Sequence, residues 1–363
     1  QYFFQFHVLL TLTLYLLAII APIIYFLGQT VPITVNLFKE ENAKTIGAIS
    51  GKVLHLSTLG SFLGAVLTTL FFMNYLGVAW TIIVNVGILL FLIILLTDDI
   101  KRELWKLLGI VGVFIIVTEF NLSTERINFL KTTPYGNYQV NSTDTGKVLM
   151  INDSSSSYIS NTEQGFPYIE YIKQVLFDDL KLHNKKILVL GAGGFTLSAE
   201  RHDENRFTYV DIDPDIKSIV EHHFLMSNKI KGEFYAEDAR TYVKNTMEYY
   251  DVIVSDVYSN TMTIPAHLLT QEHLQAIQAR LAPDGIAVFN IIARPLLTDA
   301  YSKRMDNTVR SVFQRCMATP LKYSPEITNI IYLCRNSKEK EEDDRQIYTD
   351  NKNSSTMDFF NLR

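Results

Sequence analysis

The stretch Lys186-Ile-Leu-Val-Leu-Gly-Ala-Gly-Gly194 places a short run of apolar residues directly before a glycine-rich turn. An apolar run of this length, bounded by turn residues, is typical of a strand that is buried on both faces of a sheet. Glycines at its end let the backbone turn sharply and approach a ligand closely. The stretch therefore predicts one strand of a parallel sheet with a ligand at its carboxyl end.

Three further apolar runs follow at intervals that leave room for crossover helices. They cover residues 207–210, 251–255 and 286–291. Amphipathic segments at 214–225 and 270–282 lie between these runs. Alternation of buried strands with helices indicates an α/β domain with a doubly wound sheet.

Charge is distributed unevenly along the 363 residues, whose net charge is −5. Residues 1–120 hold only 6 of the 33 Lys and Arg and 6 of the 38 Asp and Glu. Long apolar stretches in this region predict an α-helical transmembrane bundle. Its four expected helices cover residues 6–27, 48–72, 75–97 and 104–120. The acidic balance excludes the strongly basic surface that a nucleic-acid-binding protein needs.

The rest of the chain divides into three parts by composition. Residues 121–165 are expected to form a small β-strand element, 166–337 the α/β domain, and 338–363 a charged, solvated tail. Cys316 and Cys334 lie 18 positions apart without CxxC spacing. They are therefore expected to be core residues, with neither a zinc site nor a disulfide framework.

Acidic residues follow three successive strands of the predicted sheet. Asp211 comes 20 residues after Gly191, where a carboxylate can accept hydrogen bonds from ribose hydroxyls. Asp238 is placed to contact an adenine amino group, and Asp256 ends a further strand at the same edge. Each acid alone could be a helix N-cap, but together they predict a nucleoside site. The glycine spacing is not GxGxxG, which disfavours a nicotinamide dinucleotide and favours S-adenosylmethionine or a derivative.

This ordered series of motifs resembles that of the spermidine synthases, and of the subfamily in which such a domain is fused to transmembrane helices. The matching segments are 27–32, 57–64, 133–135, 166–170, 190–194, 210–214, 237–240, 250–256, 264–270 and 281–285. The resemblance covers roughly residues 20–335. It implies a Rossmann-like domain of the class I S-adenosylmethionine-dependent methyltransferase type.

The resemblance implies transfer of an aminopropyl group from decarboxylated S-adenosylmethionine to an amine or polyamine. Asp256 matches the catalytic carboxylate, which holds or deprotonates the attacking amine. The expected co-substrate contacts are Gly191, Gly193, Gly194, Asp211, Asp238 and Ala239. The expected acceptor contacts are Tyr168 and Glu170 from the resemblance, with Tyr258 and His267 as further candidates beside Asp256.

Four positions depart from the family pattern. Gly194 stands where the family has the Asp that binds the aminopropyl ammonium, and Ser259, Ile169 and Gly136 replace an Asp, a His and a Gln. Contacts to the nucleoside are therefore better preserved than contacts to a polyamine. Ordinary putrescine chemistry is accordingly in doubt.

Two alternative functions stay open. Loss of the Asp at Gly194 agrees with a catalytically silent nucleoside-binding or interaction module attached to a membrane bundle. It also agrees with a methyltransferase, because it removes a negative charge that would repel the carboxylate of intact S-adenosylmethionine. No metal is expected. Membrane lipid is an expected partner, and small residues along the second helix leave room for a homo-oligomer or a membrane-protein partner.

The loop charges and the expected ligand give opposite predictions for membrane topology. Basic residues lie before the second helix and after the third, at Lys39, Lys44, Lys52, Lys101, Arg102 and Lys106. The positive-inside rule puts both loops in the cytoplasm and, if the fourth helix spans, the α/β domain outside. A nucleoside ligand instead implies a cytoplasmic domain, which is the expectation adopted for this plasma (inner) membrane protein. Helices upstream of Gln1 are left open.

Overall fold

The structure is a computed structural model that describes residues 8–37, 43–99, 101–199, 204–227, 229–258, 263–336 and 346–360. The chain divides into two units, Gln1–Phe114 and Ile115–Arg363. The predicted helix start at Phe6 and the candidate Ser259 lie outside the described residues.

The first unit is helical. Its helices, the last of which continues into the second unit, are α1 (Val8–Tyr15), α2 (Ala21–Leu37), α3 (Ala43–Leu67), α4 (Gly77–Leu95) and α5 (Leu104–Asn128). Short π-helical segments, Leu16–Ile20 and Thr68–Leu76, join α1 to α2 and α3 to α4.

Three helices among the described residues are long and apolar enough to cross a membrane, namely Leu10–Thr34, Gly47–Leu95 and Leu104–Asn128. The second has 49 residues. At 1.5 Å per residue it would be about 74 Å long, more than twice a hydrocarbon core of about 30 Å. Gly77 interrupts it with a φ of 75°, which glycine adopts without strain. The interruption falls close to the predicted boundary between the second and third helices, 48–72 and 75–97, and two separate crossings stay a prediction.

The observed helix ends differ from the predicted ones. The first predicted helix, 6–27, continues to Leu37, and the fourth, 104–120, continues to Asn128. Both predictions stopped where the apolar run stops, whereas a helical backbone continues through polar residues that are good helix formers. A hydropathy criterion therefore measures the apolar part of a helix and not its length.

The second unit opens with a small antiparallel sheet, in the region where the sequence predicts short strands. Its strands pair in the order β1-β2-β3-β4. They are β1 (Lys131–Thr132), β2 (Asn137–Thr143), β3 (Gly146–Ile151) and β4 (Ser154–Ser160).

A seven-stranded sheet follows in the order β10-β11-β9-β8-β5-β6-β7. Its strands are β5 (Lys186–Leu190), β6 (Arg206–Asp211), β7 (Glu233–Ala236), β8 (Tyr250–Ser255), β9 (Leu281–Ala293), β10 (Cys316–Pro320) and β11 (Thr328–Arg335). The helices are α6 (Pro167–Lys173), α7 (Ile216–Ile219), α8 (Ala239–Asn245), α9 (Gln271–Ala279), α10 (Ala300–Val312) and α11 (Ser355–Phe360). Strands β5 to β9 are parallel, and β11 enters antiparallel between β9 and β10. The predicted Rossmann-like fold of the class I methyltransferase type is confirmed.

Side-chain alternation along β5 gives the domain two hydrophobic cores. Ile187 and Val189 belong to one buried cluster, and Leu188 and Leu190 belong to the other. All four side chains are almost inaccessible to solvent. Because both faces of the central strand are covered, its sequence is continuously apolar, as parallel strands require.

The C-terminal residues correct one prediction. A charged, solvated tail was expected over 338–363, but within the described segment 346–360 Tyr348 and Phe359 are buried. Asp358 forms an ion pair with Arg304 of α10, with 2.6 Å between Oδ2 and Nη1. The prediction rests on the charged composition of this segment, and composition does not show that two of its aromatic side chains pack into the core.

The cysteine prediction is right about the core and wrong about the disulfide. Cys334 is buried, and Cys316 packs against the same hydrophobic cluster. Cys316 and Cys334 form a disulfide. They are partners in the antiparallel register of β10 and β11, which brings their Cα atoms to 4.1 Å. Sequence spacing could not reveal this pairing, because it depends on the hairpin that the two strands form.

Candidate active site

The parallel register aligns the strand ends at one edge of the large sheet. Leu190 of β5 pairs with Val210 of β6 and with Ser255 of β8. The residues that follow these strand ends therefore lie side by side. The sequence predicts this edge as the ligand site, since open α/β sheets bind ligands beyond the carboxyl ends of their strands.

A cavity of about 720 Å³ opens at this edge, within the size range of small-molecule sites. The predicted site residues that line it are Gly191, Gly193, Asp211, Asp238, Ala239, Asp256, Tyr168, Tyr258 and His267. Two predicted site residues, Gly194 and Glu170, are not among the lining residues. Nine of the eleven candidates are thus brought together in space.

Gly191 is the glycine that the loop geometry requires. Its φ is 85°, and a Cβ there would collide with the carbonyl oxygen of Asp256. The backbone N–H of Gly191 donates to the carbonyl of Val210, and that of Asp256 donates to the carbonyl of Leu190. These two bonds hold the turn against the ends of β6 and β8, and Gly191 lines the cavity.

Asp211 is tied to the glycine turn. Its Oδ2 accepts from the backbone N–H of Ala192 at 2.9 Å, and its Oδ1 accepts from that of Asp213 at 3.1 Å. Desolvation raises the pKa of Asp211, while these two hydrogen bonds lower it. The carboxylate is fixed at the rim next to the turn, where ribose hydroxyls are expected.

Asp238 is both a helix cap and a lining residue. Its Oδ1 accepts from the backbone N–H of Thr241 at 2.9 Å, which caps α8. Its Oδ2 lies 3.1 Å from Nε2 of His267. Although desolvation opposes it, hydrogen bonds from Thr241 and His267 leave the pKa of Asp238 lowered. The capping and ligand-binding interpretations of this residue are therefore compatible.

Asp256 lies at the centre of a hydrogen-bonded network. Its Oδ2 accepts from the hydroxyl of Tyr168 at 2.9 Å, and its Oδ1 accepts from Nδ2 of Asn290 at 2.8 Å. Asn329 donates in turn to Oδ1 of Asn290 at 2.9 Å. Desolvation raises the pKa of Asp256, and the bonds from Asn290 and Tyr168 partly offset that rise. Such a carboxylate can take a proton from a bound cation.

Tyr258 supports the same network from the backbone side. Its hydroxyl donates to the carbonyl of Asn290 and accepts from the backbone N–H of Ile292, both at 2.9 Å. The side chain thus walls the cavity and holds β9 in place.

The prediction that Gly194 contacts the co-substrate is corrected, because Gly194 is not among the residues that line the cavity. Its backbone N–H donates to Oγ of Ser157 at 2.8 Å. A Cβ at this position would collide with the ring of Phe224 and lie 2.7 Å from Cβ of Ser157. A carboxylate side chain has no room here, and the serines of β4, residues 154–157, line the cavity instead.

Glu170 is occupied by its own helix. Its Oε1 accepts from the backbone N–H of Gly165 at 2.6 Å and from Nζ of Lys173 at 2.8 Å. The Lys173 side chain is 1% exposed, so this pair is shielded from solvent on the lysine side. The expected acceptor contact is therefore corrected, because Glu170 stabilises the start of α6.

Several lining residues were missed by the sequence reasoning. Asn290 is a polar residue inside a predicted apolar strand, and that interruption was a usable signal. Asp213 is buried and accepts from the hydroxyl of Tyr138 at 2.7 Å and from Thr133 at 2.5 Å. Asn329 and the β4 serines carried no local signal. In the part of the chain that the structure describes, no group of three metal-ligating side chains occurs.

Similarity to known proteins agrees with this geometry. Residues 165–345 match the family described as the spermine/spermidine synthase domain. A polyamine aminopropyltransferase of Vibrio vulnificus is 32% identical over 154 residues, 41% of this chain and 49% of that protein. An eEF1A lysine and N-terminal methyltransferase homolog of Drosophila pseudoobscura pseudoobscura is 24% identical over 169 residues, 43% of this chain and 24% of that protein.

Among solved structures, a probable spermidine synthase from Corynebacterium glutamicum superposes with a TM-score of 0.49 at 22% identity, over 58% of this chain and 81% of that chain. The chain spans about half the length of the Vibrio relative, at 49%, and about a quarter of the Drosophila relative, at 24%. Residues 165–345 therefore form a spermine/spermidine synthase domain.

Proposed function

We propose that this chain is an integral-membrane transferase that binds decarboxylated S-adenosylmethionine, or S-adenosylmethionine itself, and transfers an aminopropyl or related group to an amine. The observation that carries the proposal is the Asp256 carboxylate, held between Tyr168 and Asn290 beside the glycine turn. The name of the Vibrio relative, polyamine aminopropyltransferase, supports the same reaction class.

The residues present fit an adenosyl co-substrate. Gly191 and Gly193 line the cavity without side chains, so backbone atoms of the turn face the space where the ligand would lie. Asp211 offers a fixed carboxylate to ribose hydroxyls, and Asp238 offers one to the adenine amino group. The sulfonium co-substrate would supply an electrophilic carbon and a neutral thioether leaving group.

Asp256 would take the proton that blocks the reaction. An ammonium has no lone pair, so the acceptor amine must lose a proton before its nitrogen can form a bond to carbon. The nitrogen–carbon bond forms while the carbon–sulfur bond breaks, and the electron pair of that bond stays on sulfur. The raised pKa of Asp256 suits a general base that must hold this proton. Tyr168 and Asn290 would orient its two oxygens.

Methyl transfer from intact S-adenosylmethionine is the second candidate. Gly194 leaves no carboxylate where the family binds the aminopropyl ammonium, and Ser157 fills the space beside it. Neutral hydroxyls would not repel the carboxylate of intact S-adenosylmethionine. The Drosophila relative, which is named a methyltransferase, favours the same reading.

Thermal shift of the full chain in detergent tests the proposal. Decarboxylated S-adenosylmethionine, intact S-adenosylmethionine and methylthioadenosine are compared, because a ligand at 100 times its Kd adds about 2.7 kcal/mol of stability. A shift with the decarboxylated donor or methylthioadenosine supports aminopropyl transfer. A shift only with intact S-adenosylmethionine supports methyl or aminocarboxypropyl transfer. No shift with any of them overturns the proposal in favour of a silent module, and Asp211→Asn should weaken any shift observed.

Asp256→Asn separates catalysis from binding. We expect the variant to keep the methylthioadenosine shift and to lose about 10²- to 10⁴-fold in turnover, the usual contribution of general base catalysis. Asp284→Asn is the matched control, because Asp284 is exposed and does not line the cavity. Equal activity of both variants would remove Asp256 from the mechanism.

Membrane insertion is a part of the proposal that rests on three long apolar helices. We expect the chain to remain in the membrane pellet after extraction with alkaline carbonate and to enter solution only with detergent. Release by carbonate alone would show peripheral attachment.

A further inference from the structure

The cavity has three of its four carboxylates at one end of the strand order. Of the described residues that line it, four are acidic: Asp211, Asp213, Asp238 and Asp256. The first three follow β6 and β7, which lie together at one end of the strand order. Asp256 follows β8, on the other side of β5. Beyond Asp256, the described wall carries no charged side chain.

That remaining wall is aliphatic and amide in character. Asn290 and Ile292 are two positions apart on β9, so they point to the same face of the sheet. Asn329 of β11 pairs with Ile292 in the antiparallel register. Leu321, Ile327 and Thr328, at the ends of β10 and β11, also line the cavity, and all three are uncharged.

The polar atoms of this wall bond to one another. Nδ2 of Asn290 donates to Asp256, and its Oδ1 accepts from Asn329. The hydroxyl of Tyr258 is used by the backbone of β9. The wall therefore presents no negative charge to a second cationic group, and a cation placed against it would lose its hydration without an ionic partner.

Glu170 is not available as an ionic partner for a second cationic group. Its carboxylate is paired with Lys173, whose side chain is 1% exposed, and with the backbone N–H of Gly165. Recruiting Glu170 to a substrate would break its 2.8 Å ion pair with a buried lysine, which is costly. Ile169, the neighbouring lining residue, is apolar.

We propose that the acceptor is a primary monoamine with an uncharged, apolar substituent, in place of a diamine or polyamine with a second ammonium group. The single carboxylate Asp256 holds and deprotonates the one amino group, and the wall of Ile292, Ile327 and Leu321 receives the substituent. The inference rests on the proposed function, because it assigns the acceptor of that same reaction.

Two isosteric amines test the inference with the full chain in detergent and the donor that the thermal shift selects. Pentylamine and 1,4-diaminobutane have the same number of non-hydrogen atoms, but only the diamine carries a second ammonium. We expect kcat/KM for pentylamine to exceed that for 1,4-diaminobutane by at least about tenfold, the loss for one missing charged hydrogen bond. An equal or higher value for the diamine overturns the inference.

A matched pair of variants checks that the wall is responsible. Ile292→Asp adds a carboxylate to the wall and should shift the preference at least about tenfold towards the diamine, whereas the near-isosteric Ile292→Asn should not. Both variants must keep the methylthioadenosine shift to count as folded. If both variants change the preference equally, the charge argument is wrong.

The failures of the two proposals are distinguishable. Absence of a thermal shift, or of Asp256-dependent turnover with every amine, rejects the proposed function and the inference with it. Turnover that depends on Asp256 but prefers 1,4-diaminobutane rejects only the inference.

Discussion

Asn290 is a single side chain that joins the register of the sheet to the chemistry of the cavity. It follows Phe289, which pairs with Ser255, so it lies beside Asp256 at the same edge. It is 3% exposed, and both ends of its amide are used, one by Asp256 and one by Asn329. Because the amide donates to the carboxylate, it stabilises the charged form of Asp256 against desolvation.

Asn290→Leu is expected to move the acidic limb of the pH profile of kcat/KM to higher pH by about one unit, the equivalent of one hydrogen bond. The variant removes a bond that lowers the pKa of Asp256, so the carboxylate forms only at higher pH. Asn329→Leu, which breaks the next bond in the network, is the control and should shift the limb less. An unchanged limb with an altered KM would show that Asn290 acts on the substrate directly.

His273 makes stability depend on pH. It is fully buried in α9, and neither ring nitrogen has a hydrogen-bond partner among the described residues. Desolvation lowers its pKa to about 3. In the unfolded chain the imidazole binds a proton near pH 6.5, whereas in the folded chain it stays neutral. The free energy of unfolding is therefore highest above about pH 6.5 and falls as the pH decreases towards 3.

We expect the free energy of unfolding to fall by about 1 kcal/mol from pH 7 to pH 5.5 because of His273, since proton binding is linked to unfolding. His273→Leu should remove that part of the pH dependence, measured as the change in Tm between the two pH values. His183→Leu, at an exposed histidine, should leave the pH dependence unchanged. A His273→Leu variant with the full pH dependence would contradict the assignment.

At the scale of elements, the parallel half of the sheet could be predicted and the antiparallel half could not. Strands β5, β6 and β8 are short apolar runs that end in Gly191, Asp211 and Asp256, so pattern and register together locate half of the site. Strand β11 comes from far along the chain and inserts between β9 and β10. The position of Asn329 depends on that tertiary pairing, which no local pattern encodes.

Glu170 shows a different limit of sequence reasoning. Its motif suggested an acceptor contact, but Lys173 lies three residues later on the same helix, a spacing at which opposite charges pair. That signal was present in the sequence and was outweighed by the motif. Ser157 is the opposite case, since it reaches the glycine turn from a separate small sheet and only the structure reveals it.

The hairpin of β10 and β11 carries part of the proposed acceptor wall and is closed by the disulfide between Cys316 and Cys334. Breaking this disulfide, whose cysteines are 18 positions apart, is expected to lower the free energy of unfolding by about 3 kcal/mol. The double variant Cys316→Ala, Cys334→Ala should show this loss in denaturant titrations of the oxidised protein. Reduced wild-type protein should match the variant, and equal stability of the oxidised and reduced forms would contradict the prediction.

At the scale of the whole molecule, the two units differ in what they contribute. Every described residue that lines the cavity belongs to the second unit, from Tyr135 to Asn329. In the first unit, large apolar side chains such as Phe26, Phe62 and Phe91 are exposed, which a membrane would cover. The proposed reaction and the proposed membrane anchoring therefore belong to separate parts of the chain.

The side of the membrane that carries the second unit links these two parts. We expect it to be cytoplasmic, because the proposed adenosyl donor is a cytoplasmic metabolite. Two features argue for the opposite side: the six basic residues of the loops, and a cysteine pair that the cytosol rarely keeps oxidised. If the second unit is cytoplasmic, we also expect Cys316 and Cys334 to be thiols in growing cells.

Reporter fusions at Arg363 and thiol trapping measure the two properties independently. A cytoplasmic domain gives a fluorescent green-fluorescent-protein fusion, an inactive alkaline-phosphatase fusion, and two cysteines that react with maleimide after acid quenching. An active phosphatase fusion together with a disulfide in cells would contradict the expectation. The domain would then lie where the donor is not supplied, so the transferase proposal would fall and a nucleoside-binding or interaction module would take its place.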